Sequence, residues 1–178
     1  MSNENSTYGC LFCRSGSEET LIGDLKSSHP HLICLSPKKV RVRRQGEHEI
    51  VTLFPGYIFF HTSLDFDMRT LVQKANVYRL LKYPNGEWKL HGSDLHMAMM
   101  LFEMGGIIEL SRARFDGNKV EILSGPLIRF KKYITKINKR AKTAQVTIDF
   151  HGEKLIMWLG FELEANTKIS TIQEGLSR

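Results

Sequence analysis

Three cysteines, an odd number, give this chain no disulfide framework. Its longest apolar stretches, around Leu53 to Phe60 and Leu155 to Phe161, are interrupted. They fall far short of the roughly 18 residues that a membrane-spanning helix needs. The opening Met1-Ser2-Asn3-Glu4-Asn5-Ser6 has neither a basic head nor an apolar stretch, so no secretory signal is expected. These absences lead to the expectation of a cytoplasmic protein with reduced thiols and no membrane association. Motifs that carry chemistry are scarce too. No G-x-G-x-x-G, G-x-x-x-x-G-K or G-x-S-x-G pattern is present. The seven histidines form no ligand set: His29 and His31 share a loop, His91 and His96 flank a helix start, and His48, His61 and His151 stand alone. Cys10-Leu11-Phe12-Cys13 has the C-x-x-C spacing, but zinc needs four ligands and no second pair follows. On a strand, residues three apart point to opposite faces, so the two thiols are expected to diverge as small buried hydrophobes. The paired carboxylates, Glu18-Glu19 and Asp65 with Asp67, fall at helix starts, where they favour the dipole. Neither an enzyme nor a metal or other cofactor is expected.

What the chain does have is globular composition, with 42% hydrophobic and 25% charged residues over 178 positions, enough to bury a real core. Its basicity is local. Between Pro126 and Lys142 lie Arg129, Lys131, Lys132, Lys136, Lys139, Arg140 and Lys142, with no acidic residue. These seven account for more than the whole net charge of +6. A second cluster, Lys38, Lys39, Arg41, Arg43 and Arg44, is offset by nearby Glu47 and Glu49. A concentrated cationic stretch is either a solvated face or the footprint of a polyanion.

Strand and helix signals alternate over the first hundred residues. Tyr8 to Arg14 reads as a strand. Ser15 with Glu18 offers a capping box opening a helix that carries Leu21, Ile22 and Leu25 on one face and stops before Pro30. Leu32 to Arg44 and Glu49 to Phe60 predict a hairpin around Gln45-Gly46-Glu47. Met68, Leu71, Val72 and Ala75 have the spacing of a short amphipathic helix, and Val77 to Lys82 follows as a strand. Ser93 can cap a third helix with Leu95, Ala98, Met99 and Phe102 on one side, ended by Gly105-Gly106. Glu109 to Asn118 has little periodicity and reads as a linker. Beyond it every segment is strand-like, and Gln145 to Phe150 alternates so that Val146, Ile148 and Phe150 share a buried face. Short strands with tight turns suggest a small β-barrel. The expected organisation is α+β: an antiparallel sheet with flanking helices over 7–108, a linker over 109–118 and a barrel with a C-terminal tail over 119–178.

Two features call for a role. In Leu53-Phe54-Pro55-Gly56-Tyr57-Ile58-Phe59-Phe60, Tyr57 and Phe59 share one strand face and Ile58 and Phe60 the other, and both faces are apolar. Such a strand is either covered on both sides or presents an aromatic docking surface. The second is Ser124-Gly125-Pro126-Leu127, a tight turn leading into the basic stretch. A barrel is expected to bring the loop of Arg129, Lys131 and Lys132 beside that of Lys139, Arg140 and Lys142 as one cationic surface, with Lys136 between and Tyr133 available to stack on a base.

The strand FPGYIFF, preceded by β-α-β and followed by α-β-α, resembles the N-terminal domain of NusG-family transcription elongation factors. The SGPL turn, the following ITKI and the strands around HGE that close on LGFELE resemble the family's KOW domain, an SH3-like barrel. The resemblance runs from Tyr8 to Ala165. It implies an N-terminal domain that docks on the clamp helices of RNA polymerase, with Tyr57 and Phe59 matching the docking aromatics and Phe54 and Pro55 shaping the strand entry. Two departures stand out: Lys132-Tyr133 where many members have Glu-Gly, and His151-Gly152-Glu153 where Phe-Gly-Arg is usual. They make the chain similar to the LoaP group of antiterminators, which recognise structured RNA. The resemblance thus implies a monomeric antiterminator that binds a leader RNA hairpin through Arg129, Lys131, Lys132, Tyr133, Lys136, Lys139, Arg140 and Lys142. The alternative is a general NusG-like or RfaH-like factor recruited by ribosome contact or by non-template DNA, with Lys38, Lys39, Arg41, Arg43 and Arg44 as the candidate DNA contacts.

Overall fold

A computed structural model describes residues 6–43, 46–117 and 119–164. Arg44, Gln45, Asn118 and the tail 165–178 lie outside the described residues. The first sheet has the order β2 (Ile33–Leu35), β5 (Tyr57–Thr62), β1 (Thr7–Cys13), β6 (Val77–Leu80). β5 and β1 are antiparallel partners at its centre, with Cys10 opposite Phe59 and Phe12 opposite Tyr57. Helix α1 (Glu18–Ser28) and the short α2 (Arg69–Val72) close one face. There Leu21, Leu25 and Leu71 pack with Leu11, Cys13, Ile58 and Phe60. Cys10 belongs to the other face, so the two thiols of the C-x-x-C diverge as the strand geometry requires. Burial pushes the Cys10 thiol well up and the Cys34 thiol to about 12, which leaves both protonated and unreactive near neutrality.

The expected long hairpin is two pairs of strands. Leu32 to Arg44 divides at Ser36-Pro37 into β2 and β3 (Lys38–Val42). Glu49 to Phe60 divides at Pro55-Gly56 into β4 (His48–Thr52) and β5. Proline supplies no ladder donor, so each break lets the chain change sheets. β3 and β4 form the hairpin, and β3 also pairs in parallel with β7 (Ile107–Ile108).

Gly56 takes a φ of +86°, and a Cβ there would stand 2.9 Å from the Cys13 carbonyl oxygen. Its N–H donates to Glu18 Oε1 at 2.6 Å, while Glu18 Oε2 accepts from the Gly16 N–H. The expected capping box is therefore absent. Ser17 holds the cap position without a side-chain bond, and Glu18 ties the helix start to the entry of β5.

Helix α3 (Gly92–Glu103) leads through Gly105 and Gly106 into β7 and then β8 (Ser111–Asp116). β8 lies in the stretch expected to be a linker. It pairs with β9 (Lys119–Ser124) and, in parallel, with the end of β12 (Glu153–Leu163). Its buried residues are small, Ser111 and Ala113, alternating with exposed arginines, which is why no hydrophobic alternation marks it.

After β9, Gly125 at φ +90° turns the chain into α4 (Pro126–Arg129). A Cβ there would come within 2.7 Å of the Ser111 backbone, so this turn requires glycine. A 3-10 turn over Lys131–Tyr133 precedes β10 (Ile134–Asn138), and β11 (Thr143–Phe150) follows. β10-β11-β12-β8-β9 form a curled five-stranded sheet, a half-barrel. Val146, Ile148 and Phe150 are buried together, as the alternation requires. β11 and β12 meet at a two-residue turn, His151-Gly152, with φ of +55° and +81°. Both values are what a tight hairpin demands.

Candidate functional site

The aromatic face of the first sheet carries Tyr8, Cys10 and Phe12 from β1, with Tyr57, Phe59 and His61 from β5. Helix α3 covers one end, where Phe102 meets the His61 ring edge-on at 4.7 Å and the Tyr8 ring at 5.7 Å. Burial there holds the His61 imidazole below its ordinary range. The other end is covered by the half-barrel. Phe150 brings its ring centroid to 5.3 Å from Phe59 and 6.5 Å from Tyr57. Phe59 is fully buried, Phe54 nearly so, and Tyr57 half-buried against Phe12 and Phe54. Of the two possibilities for this strand, the structure takes the first: both faces are covered, one of them by the C-terminal sheet.

A polar clasp borders that contact. Asp94, buried in the first turn of α3, accepts the Tyr83 hydroxyl at 2.7 Å and the His151 backbone N–H at 3.2 Å. The Tyr83 ring is stacked between His91 at 4.2 Å and His151 at 4.4 Å. Burial, and then the bond to Asp94, push the Tyr83 hydroxyl up to about 12. Arg129 pairs with Glu103 at the end of α3, and Lys39 Nζ donates to the Trp158 carbonyl at 2.6 Å. A cleft of about 910 Å³ opens beside that bond. A smaller one of about 370 Å³, lined by Tyr57, Arg79, Lys82, Phe150 and Glu153, marks the edge of the aromatic contact.

The basic residues fall into two groups, one at each end of β10, with Lys136 exposed between them. Lys131, Lys132 and Tyr133 precede β10, while Lys139, Arg140 and Lys142 follow it, so a five-residue strand of roughly 16 Å separates the two groups. Arg129 is engaged with Glu103. Lys132 Nζ lies 4.8 Å over the Tyr133 ring, which is half-buried, and Lys136 is exposed on β10. Lys139 Nζ lies 5.8 Å from the Phe115 ring. Arg140 and Lys142 instead border the cleft that also receives Lys39, Arg41 and Arg43. Lys38 is bonded to Glu19 at 2.6 Å, and Arg44 lies outside the described residues. Arg41 and Arg43 both bind Glu49, whose carboxyl is held down to about 2 by Arg43 and then Arg41. Asp94, Tyr83, Phe150 and His151 were missed as site residues. The His-Gly turn could have signalled an exposed hairpin tip, but nothing local tells that it would meet α3.

Among the described residues no helix is long and apolar enough to cross a membrane. None of the curated protein sequences matches the chain. A solved structure, the NusG of Thermotoga maritima described for its domain interaction, is similar over 87% of this chain and 93% of its own. Identity is 17% and the TM-score 0.50, a likeness of fold. The sequence profile of the family described as "Transcription termination factor nusG" matches residues 8–97. That match spans half of the chain and includes β1, the FPGYIFF strand and the start of α3, and on it the chain belongs to the NusG family of transcription factors.

Proposed function

We propose that this NusG-family factor docks on RNA polymerase through the sheet face bearing Tyr57 and Phe59, with Phe54 shaping its edge. The KOW-like half-barrel reads a nascent RNA hairpin through its cations, and the outcome is read-through of pauses and terminators. One observation carries most weight: the family match spans FPGYIFF, and the cover over Tyr57 and Phe59 is contributed by the other domain through Phe150. Polymerase and half-barrel cannot hold that face at once. The arrangement with Phe150 on the sheet is thus closed, and docking follows its opening, a population shift with no covalent chemistry. The weaker the closure, the smaller the factor by which apparent affinity for polymerase is reduced. Lys131, Lys132, Lys136, Arg140 and Lys142 remain exposed for phosphate contact, while Arg129 is released only with the domain contact.

The test is transcription by purified polymerase through a terminator, on templates with and without an upstream leader hairpin, alongside polymerase binding. Tyr57→Ala is expected to abolish binding and read-through, and Phe150→Ala to raise polymerase affinity while leaving Tyr57 in place. Unchanged binding by Tyr57→Ala removes the docking assignment. Read-through that ignores the hairpin removes the RNA assignment.

A further inference from the structure

Two cationic segments about one hundred residues apart meet at one place. The β3–β4 hairpin lies against β12, tied by the bond from Lys39 Nζ to the Trp158 carbonyl. Beside this bond the cleft of about 910 Å³ is lined by Lys39, Arg41 and Arg43 from the hairpin and by Arg140, Lys142 and Trp158 from the half-barrel. Its size is at the upper end of the roughly 300–1,000 Å³ typical of ligand clefts. Such a concentration of like charge across a domain contact works against closure unless something negative lies between. Only partial relief comes from within: Glu49 clamps Arg41 and Arg43, and Glu162 stands 3.4 Å from His48 across the cleft. Burial, and then the neighbouring Arg41, push the Lys39 ammonium down.

Building on the RNA-binding reading above, we infer that this cleft holds a single strand of RNA, gripped by cations from both domains. Three features select the ligand. Spaced cations on two walls match the repeated phosphates of a strand better than one compact anion. Trp158, with 37% of its surface exposed, offers an apolar face on which an unpaired base stacks, and a duplex hides that face of its bases. Glu162 repels phosphate but accepts a 2′-hydroxyl, the group that separates RNA from DNA. Because both walls exist together only in the closed arrangement, a strand in the cleft favours closure and so competes with polymerase docking, unlike the hairpin read by the open factor. By linkage, closure then favours RNA to the same degree.

The test uses the full chain and an oligouridylate of about a dozen nucleotides, with the matching oligothymidylate and a leader hairpin beside it, titrated over salt. Arg41→Gln with Arg43→Gln, and separately Arg140→Gln with Lys142→Asn, should each weaken oligouridylate binding about tenfold. Each pair should also lower the log–log salt slope by about 0.7 for every phosphate that is no longer neutralised. Asparagine is chosen because Lys142 has a φ of +52°. Lys26→Gln with Lys89→Gln, exposed and outside the cleft, should leave the oligouridylate unaffected, and Trp158→Ala should weaken it at least about fivefold. Glu162→Gln should bring RNA and DNA affinities together. Thermal unfolding of each variant separates a binding defect from a folding defect.

If the hairpin pair changes neither affinity nor slope while the half-barrel pair abolishes binding, the composite cleft is overturned and RNA binding by the half-barrel stands. Equal or tighter binding of oligothymidylate by the unaltered protein overturns the assignment to RNA. Failure to bind either RNA removes the RNA-binding reading itself.

Discussion

The first sheet shows two apolar faces built from the same strands, and they are closed by different kinds of neighbour. On one side Leu11, Cys13, Ile58 and Phe60 meet Leu21 and Leu25 of α1 and Leu71 of α2, all from adjoining parts of the chain. On the other, Cys10, Tyr57 and Phe59 meet Met97 and Leu101 of α3 and then Phe150, from the far domain. Burial does not distinguish them, since Phe60 and Phe59 are both fully enclosed. What distinguishes them is the border. Polar groups border both faces, but on the helix-covered one (Glu18 with the Gly56 N–H, His29 with Thr70) they join neighbouring parts of the same unit, whereas on the second Tyr83, Asp94 and Glu103 reach His151 and Arg129 of the half-barrel. A polar rim around an apolar centre is the anatomy of an interface that can separate. A covered face can therefore be a docking face in its resting state.

The comparison breaks most forcefully at Phe60. Phe60→Ala should cost about 3–5 kcal/mol by removing a large side chain from a closed core. It should lower the denaturant midpoint of the N-terminal unit as a whole. A loss below about 1 kcal/mol would mean that this face is not the permanent one. Phe150→Ala removes a ring of the same size but should act differently. Part of its cost should appear as separation of the domains, read by ¹⁵N relaxation as two bodies tumbling independently, with the midpoint of the N-terminal unit little changed. If Phe150→Ala instead unfolds both units together, the two faces are energetically alike and closure is not a switchable state.

Sequence patterning reaches only what neighbouring residues encode. The period of two at Val146, Ile148 and Phe150 is local, and so is the doubly apolar FPGYIFF, so both strands were legible. β8 was not, because its inward residues are serine and alanine rather than large hydrophobes. The division of the long hairpin rests on Pro37 and Pro55, which mark a break without telling which sheet each half joins. The clasp was invisible: Asp94 and His151 are 57 positions apart, and neither has a local pattern that names the other. Likewise, the apolar face of Tyr57 and Phe59 was legible, but not its cover. The two basic clusters were identified too, while their meeting in one cleft depends on how β3 lies on β12.

A smaller effect tests the clasp through pH. The Tyr83 hydroxyl is raised from its ordinary value near 10 to about 12, first by burial and then by its bond to Asp94. A raised folded-state value favours the protonated form, so its contribution is fully present below pH 10 and is lost as pH climbs from 10 to about 12. Closure, followed by ¹⁵N relaxation or by the domain-contact resonances, should loosen in that alkaline window while the helix-covered face persists. Tyr83→Phe should remove this alkaline step. A step of equal size in Tyr83→Phe would assign the titration to another group and leave the clasp without an energetic role.

The smallest effect concerns Arg129 and Glu103, which join the start of the basic stretch to the end of α3. Their side chains keep 50% and 54% of their surface, so water and salt screen the pair. A double-mutant cycle on domain closure, with Arg129→Gln and Glu103→Gln, should return a coupling of about 0.2–1 kcal/mol that shrinks as salt rises. The Phe150 contact is apolar and should not respond to salt in that way. A large, salt-insensitive coupling would shift the hold on the second face from its aromatic centre to its charged rim. A small one keeps the division between the faces where the packing puts it: the apolar centre holds the domains together, and the rim leaves them able to part.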